Sequence, residues 1–289
     1  MVPDGPEPLI LSGMRSANLV RTSISLTCLA IVSIAGAQTL SGPGQYPQFR
    51  NMSGFSGGLF GVTREGIPSM RGAMAISTPI GYSLSDFHVA LGYASQSVDR
   101  QLRFPESSGD SARANGTAQG IIGLRTKFGS LAFSDMVHSK LGDSVLNLQF
   151  QFKTSIPKFG LSVGVQDAFS TGGAAGQDIP GDDEISRSYW VAATYEFAPG
   201  VHGTIGKGDR RFKGVFASAS ANVSPRLKFV AEYDTFNINY AVSYNLGPWK
   251  PFDPKYTLNP EDDNRRGDVF LTFGYIRTSN IFWGVNITF

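Results

Sequence analysis

Over much of the chain apolar and polar residues alternate one for one. From Phe236 onward, Phe236, Ile238, Tyr240, Val242, Tyr244 and Leu246 are interleaved with Asn237, Asn239, Ala241, Ser243 and Asn245. Successive side chains of a β-strand point to opposite faces, so this pattern gives one aromatic-aliphatic face and one polar or small face; a helical period of 3.6 would mix the two sets. The pattern recurs in Leu146, Leu148, Phe150 and Phe152 against Asn147, Gln149 and Gln151, and in Leu227, Phe229, Ala231 and Tyr233 against Lys228, Glu232 and Asp234. Tyr189, Val191, Ala193, Tyr195 and Phe197 share a further face. Runs near 72–79, 86–95, 116–134, 159–168, 200–221 and 267–276 are strand-like through their Gly, Phe, Val and Thr content, and Ala198-Pro199-Gly200 and Asn222-Val223-Ser224-Pro225 supply turns. With the strand at the end of the chain these make thirteen. Bacterial single-chain barrels have even numbers, so one boundary is expected to be misplaced.

A soluble sandwich also alternates, and the end of the chain decides between the two. Ile281, Trp283, Val285, Ile287 and the terminal Phe289 form an apolar face with aromatics near both ends, opposite Gly284, Asn286 and Thr288. Such a strand ending on Phe looks like the C-terminal assembly signal of outer-membrane barrels, with Trp283, Val285, Ile287 and Phe289 as its candidate residues. Lipid offers no hydrogen-bond partners, so a sheet inside it must close on itself. At about 20 residues per strand and connection, the expectation is an all-β, closed antiparallel transmembrane β-barrel of about 12 strands, with 10 or 14 as alternatives. A periplasmic C-terminus puts Gly247 to Gly267 on the periplasmic side, where connections are normally short. An additional strand near Tyr256-Thr257-Leu258 or an unusual turn would account for it.

The N-terminus points to export. Met14-Arg15 and Arg21 precede an apolar stretch from Ile24 to Ala35 that ends in Ala35-Gly36-Ala37, which predicts a signal peptide over residues 1–37 cut before Gln38. Met14 is an alternative start, which would leave 1–13 outside the protein. The apolar core is too short for a permanent spanning helix, which needs about 20 residues. The only cysteine, Cys28, falls inside this peptide behind Thr27, a poor match to a lipidation site, so the mature chain is expected to lack disulfides and thiol chemistry. Residues 38–70 carry Gly, Pro, Ser and Phe without periodicity and are expected to be an N-terminal periplasmic or plug-like segment, leaving 71–289 for the barrel. Polar stretches at 96–115 and 169–187 are expected to be extracellular loops.

Composition agrees with strands and tight turns. Charged residues are 17% and glycines 34 of 289, against typical values of about 25% and ~7%. A net charge of +2 without a concentrated basic stripe argues against nucleic acid as a partner. His88, His138 and His202 lie in separate segments without metal-ligand spacing. There is no Gly-x-Ser-x-Gly elbow, and Gly203-Thr204-Ile205-Gly206-Lys207-Gly208 lacks the phosphate-loop pattern. The acid clusters Asp182-Asp183-Glu184 and Glu261-Asp262-Asp263 read as solvated loops rather than calcium ligands. No catalytic residue, cofactor or metal is expected. Alternation turns Lys228, Glu232, Asp234, Asn237 and Asn239 toward the lumen. There Arg226 or Arg211 could pair with the carboxylates and stiffen the barrel, or the polar wall could contact a sugar chain.

Arg211-Phe212-Lys213-Gly214-Val215-Phe216, followed by Ala231-Glu232-Tyr233-Asp234 and the Asn-rich strand after them, resembles the barrel domain of YjbH-like proteins, outer-membrane proteins linked to exopolysaccharide production and secretion. The resemblance covers mainly 200–246 and rests on Arg211, Phe212, Gly214, Phe216, Glu232, Tyr233 and Asp234. It implies a β-barrel that assists polysaccharide export and carries no catalytic residues to transfer; family members are often much longer. The leading expectation is therefore a non-enzymatic barrel in the bacterial outer membrane that assists exopolysaccharide export or surface assembly. Its partners would be outer-membrane lipid, the barrel-assembly machinery, polysaccharide and export proteins. The alternatives are a general diffusion porin or structural barrel, and a rim-active lipid hydrolase. A porin should have an open, hydrated bore, whereas an accessory barrel is filled by side chains or by residues 38–70.

Overall fold

A computed structural model describes residues 46, 49–96, 116–137, 144–171, 186–248, 267–277 and 280–289. Alternating sequence becomes wall wherever it is long enough. The strands are β1 (Val89–Gln96), β2 (Gly116–Thr126), β3 (Gly129–Val137), β4 (Ser144–Phe152), β5 (Phe159–Gln166), β6 (Ser188–Ala198), β7 (Val201–Gly208), β8 (Gly214–Ser224), β9 (Leu227–Tyr233), β10 (Ile238–Pro248), β11 (Asp268–Ile276) and β12 (Asn280–Thr288). Each pairs with its sequence neighbours, and β1 closes on β12. All the pairings are antiparallel, and in the closing pair Leu91 stands opposite Ile287. The protein is a closed twelve-stranded barrel with no free sheet edge.

The strand surplus has one source. Residues 72–79 are not wall; they make only isolated bridges, Val62 to Ala73 and Gly58 to Ala75. β10 and β11 are direct neighbours, so no wall strand intervenes between Pro248 and Asp268. Tyr256 to Leu258 lie outside the described residues, as do the proposed signal peptide, His138 and both acid clusters.

Two rims follow from the register. Val89 and Phe289 exchange backbone hydrogen bonds at one end, the C-terminal rim. The short connections at 127–128, 153–158, 199–200 and 225–226 lie there, and so does the long one at 249–267. The far rim carries the connections at 97–115 and 167–187 and the 3-10 turn Arg210–Phe212. Outward positions are apolar and exposed, among them Tyr189, Val191, Tyr240, Val242, Tyr244, Phe273 and Ile281. Inward positions are polar yet buried, among them Asn147, Gln149, Gln151, Thr194, Glu232, Asn239 and Asn286. This is the inverse of a water-soluble sheet protein, and it suits a wall facing lipid.

The inward residues are buried because the lumen is full. The first wall strand begins at Val89; residues 71–88, assigned from the sequence to the barrel, run through the lumen together with 49–70, their amides bound in part by wall side chains and in part by the inner segment's own backbone, as at Ala73 and Ala75. The hydrophobic core is formed where this inner segment meets the wall, through Phe49, Met52, Leu59, Phe60, Met74, Ile76, Ile80, Tyr82 and Leu84. Full burial of each such side chain is worth about 1.5–3 kcal/mol.

The inner segment crosses the lumen three times, as its wall contacts show. Asn51 donates to the Ala94 carbonyl near the far rim, Ser56 N to Gln149 Oε1 midway, and Arg64 to the Thr154 and Phe159 carbonyls at the C-terminal rim. The chain then climbs from Gly72, whose carbonyl accepts from Lys228, to Ser77, whose carbonyl accepts from Arg211 at the far rim. It descends again past Thr194, which accepts from Gly81 N, to Asp86 at the C-terminal rim, where Arg125 pairs with it at 2.6 Å. Close approach needs glycine at one contact above all: a Cβ on Gly160 would lie 2.6 Å from the Gly81 carbonyl oxygen, and one on Gly81 would lie 2.5 Å from that of Gly160.

Candidate functional site

A segment without regular secondary structure brings its unpaired amides and carbonyls into the lumen, where each one left unsatisfied would cost about 1–3 kcal/mol. The wall supplies the partners. Gln149 accepts from Ser56 N and donates to the Ile80 and Tyr82 carbonyls. Gln151 accepts from Ser83 N and donates to the Arg64 carbonyl. Ser220 accepts from Met74 N, and Gln166 donates to the Ser53 carbonyl.

The densest of these contacts is at Glu232, fully buried on β9. Its two carboxylate oxygens accept from Ile76 N (2.9 Å), Ser77 N (3.0 Å), Thr78 N (3.0 Å), Ser77 Oγ (2.8 Å), Thr78 Oγ1 (2.8 Å) and Asn239 Nδ2 (2.9 Å). Three consecutive amides aimed at one carboxylate form an anion-binding nest built by the inner segment and filled by the wall. A charged acceptor makes these bonds about twice as strong as neutral ones.

Beyond Glu232, toward the far rim, lies a buried ionic cluster. Arg277 Nε meets Asp234 Oδ2 at 3.1 Å with both side chains fully buried, its backbone N–H donates to Asn239 Oδ1, and its guanidinium lies over the Phe236 ring. Arg211, also fully buried, donates to the Phe49 and Ser77 carbonyls. Burial pushes its guanidinium down to about 10, against the pull of Asp234, and it remains a cation at neutral pH. Burial alone would raise the Asp234 carboxyl; the charges of Arg277 and Arg211 and the amides of Asn237 and Phe236 outweigh this and hold it below its ordinary range.

The sequence candidates are therefore placed as follows. Lys228, Glu232, Asp234, Asn237 and Asn239 are all buried inside, and each is bonded or ion-paired to the inner segment, to Arg277 or to one another, Asn237 through its amide on Asp234 Oδ1 at 2.8 Å. Arg211 reaches the cluster, whereas Arg226 lies in the exposed turn at the opposite rim. Phe212 and Phe216 pack with Phe55 and Trp190, Gly214 opens β8, and the Tyr233 hydroxyl donates to the Thr235 carbonyl. Trp283, Val285, Ile287 and Phe289 occupy the outer face of the closing strand, with Trp283 against Tyr93 at 5.4 Å. The sequence reading missed Arg277 and Ser77-Thr78. His88 contacts the Phe289 carbonyl and His202 packs edge-on to Tyr82. At the C-terminal rim a cavity of about 320 Å³ is lined by Arg64, Glu65, Tyr82, Glu196 and His202.

No family model and no curated protein matches the chain. Among solved structures it is similar to a KdgM porin in complex with disordered oligogalacturonate (8% identity, TM-score 0.42, covering 70% of this chain and 98% of that one). It is also similar to the Acinetobacter baumannii outer membrane protein Omp33 (12%, 0.37, 70% and 97%) and to the COG4313 outer membrane channel from Pseudomonas putida F1 (11%, 0.30, 73% and 96%).

Proposed function

We propose that this chain is an outer-membrane barrel of porin-like architecture whose bore is sealed from within by its own residues 49–88, a structural barrel rather than a general diffusion pore in this state. The observation that carries the reading is the occupancy of the polar wall: the groups that would line a hydrated channel are bonded to the inner segment, with six donors on the Glu232 carboxylate alone. Four of the five connections at the C-terminal rim are short, which supports a periplasmic rim there and an extracellular far rim. Export of an exopolysaccharide, as the family resemblance implies, would first need Lys228, Glu232 and Asn239 released from residues 72–78. Liposome swelling tests the proposal: vesicles carrying the mature protein should exclude a small sugar as protein-free vesicles do, and swelling at the rate of an open porin would refute it.

A further inference from the structure

The outer face of the wall is apolar along its strands, with one cationic exception. Among the described strand residues Arg125 and Lys228 point inward, to Asp86 and to the Gly72 carbonyl, and Lys207 is the one cation on an outward position. It is exposed, stands one residue from the far-rim end of β7 and pairs with Val191 of β6. The register continues from it in a single row: Val191 is opposite Val163 of β5, and Val163 is opposite Phe150 of β4. The next outward row toward the far rim is Tyr189, Val165 and Leu148. The two valines of β5 are shorter than the tyrosine on one side and the leucine and phenylalanine on the other. A groove of about 700 Å³ runs over them and reaches Lys207. Phe150 lies in the half of β4 nearer the C-terminal rim, so the groove crosses the wall obliquely, as tilted strands require.

The polar end of the groove is basic. Lys213, also exposed, bridges Gly208 next to Lys207, and Arg187 stands half-buried where the chain enters β6. Asp209 lines the same end, and its Oδ1 accepts from Tyr189 N at 2.7 Å. Lys207 and Lys213 make no hydrogen bond or ion pair among the described residues. A charge on the lipid face is tolerated near the interface, where a long side chain can lift its head to the phosphates, and not at the midplane. We propose that this groove binds a phosphorylated, acylated glycolipid of the outer leaflet, the chemistry of lipid A. One acyl chain lies over Val163 and Val165, and Lys207 and Lys213 hold a headgroup phosphate. Charge complementarity selects this occupant over a neutral lipid: two ammonium groups without protein partners stand at the end of an apolar track, and lysine binds phosphate as a point charge. Tyr189, amphipathic and exposed at the same rim, sits where headgroups meet acyl chains. The inference rests on the outer-membrane reading and on its assignment of the far rim to the outside.

Native mass spectrometry of the mature protein purified from outer membranes tests it. Lipid A is titrated beside the same lipid stripped of its phosphates and beside phosphatidylglycerol. The proteins are the wild type, Lys207→Gln with Lys213→Gln, Val163→Phe and, as a control, Lys127→Gln with Lys153→Gln, two exposed lysines at the C-terminal rim. The expected result is one retained lipid A per barrel, bound about tenfold more weakly when the phosphates are removed or when Lys207 and Lys213 are both replaced. Val163→Phe, which fills the groove without touching the charges, should weaken binding as well, and the control should not. Equal affinity for lipid A with and without phosphates would overturn the inference. So would unaltered binding by the Lys207 and Lys213 variant, equal losses in the two lysine pairs, phosphatidylglycerol binding as tightly as lipid A, or a lipid-free dimer covering this face. Heat-modifiable gel migration of the same samples separates the two levels of failure: a heat-modifiable barrel without the preference sinks the site alone, and a soluble, unshifted protein sinks the outer-membrane reading with it.

Discussion

Glu232 is the residue on which wall and inner segment depend most. A carboxylate stripped of water is tolerated only where donors replace the solvent, and here they come from residues 76–78 and from Asn239. Glu232→Gln keeps the shape but turns an NH2 group toward amides that also donate. It is expected to cost about 3 kcal/mol, read as a lower temperature for loss of the folded band in heat-modifiable gel migration. Asp234 gives a pH prediction. Its carboxyl is held below the ordinary value of 3.8. Its stabilising contribution is therefore fully present above that value and is lost as pH falls through the lower folded-state value. Thermal unfolding in detergent should show an acid limb below about pH 4 that Asp234→Asn removes. An unchanged acid limb in the variant would assign it to other carboxylates. Alternation made the inward placement of Lys228, Glu232 and Asn239 legible in the sequence. Their partners were not legible, because Ile76 and Ser77 lie about 155 positions away in a stretch without period. Arg277 was invisible for a related reason: it follows the last residue of β11, where alternation has ended and does not say which way a side chain turns.

At the scale of elements, the strands were readable wherever lipid on one side and polar contacts on the other forced strict alternation, as in β4, β10 and β12. The run at 72–79 misled because its residues have strand-like composition and an extended path but bond to wall side chains at 74 and 76–78 and to the inner segment itself at Ala73 and Ala75; composition does not report the identity of the acceptor. Gly81 and Gly160 mark the closest approach of inner segment to wall. Gly160→Leu should force the third traverse away from β5 at a cost of about 3 kcal/mol or more, seen as new protease cleavage between 72 and 88 in the folded barrel. Unaltered protection would mean that the two backbones are not in contact. The closing strand carries its own prediction. Phe289 exchanges backbone hydrogen bonds with Val89 at 2.8 and 3.1 Å, so its deletion removes the last rung of the β1–β12 seam. Heat-modifiable barrel recovered from membranes should fall several-fold, and wild-type yield from the truncated chain would argue against an assembly role.

For the whole molecule, the balance is between a wall that lipid stabilises and a lumen that the protein fills itself. A twelve-stranded ring with polar inward residues could enclose water, and the sequence alone left both outcomes open. The structure puts about forty residues of the chain in that space and binds their backbone to the wall. A sealed bore makes passive flux a property of rearranged states only. Loosening the Glu232 cradle or the Gly81–Gly160 contact should raise leakage together with loss of stability, because both report the same interface. The most direct measurement is single-channel recording of the purified mature protein in planar bilayers, beside Glu232→Gln. The wild type should insert without steady conductance, and the variant should show intermittent openings. A stable, ohmic conductance from the wild type at low voltage would contradict the sealed barrel and leave an open pore in its place.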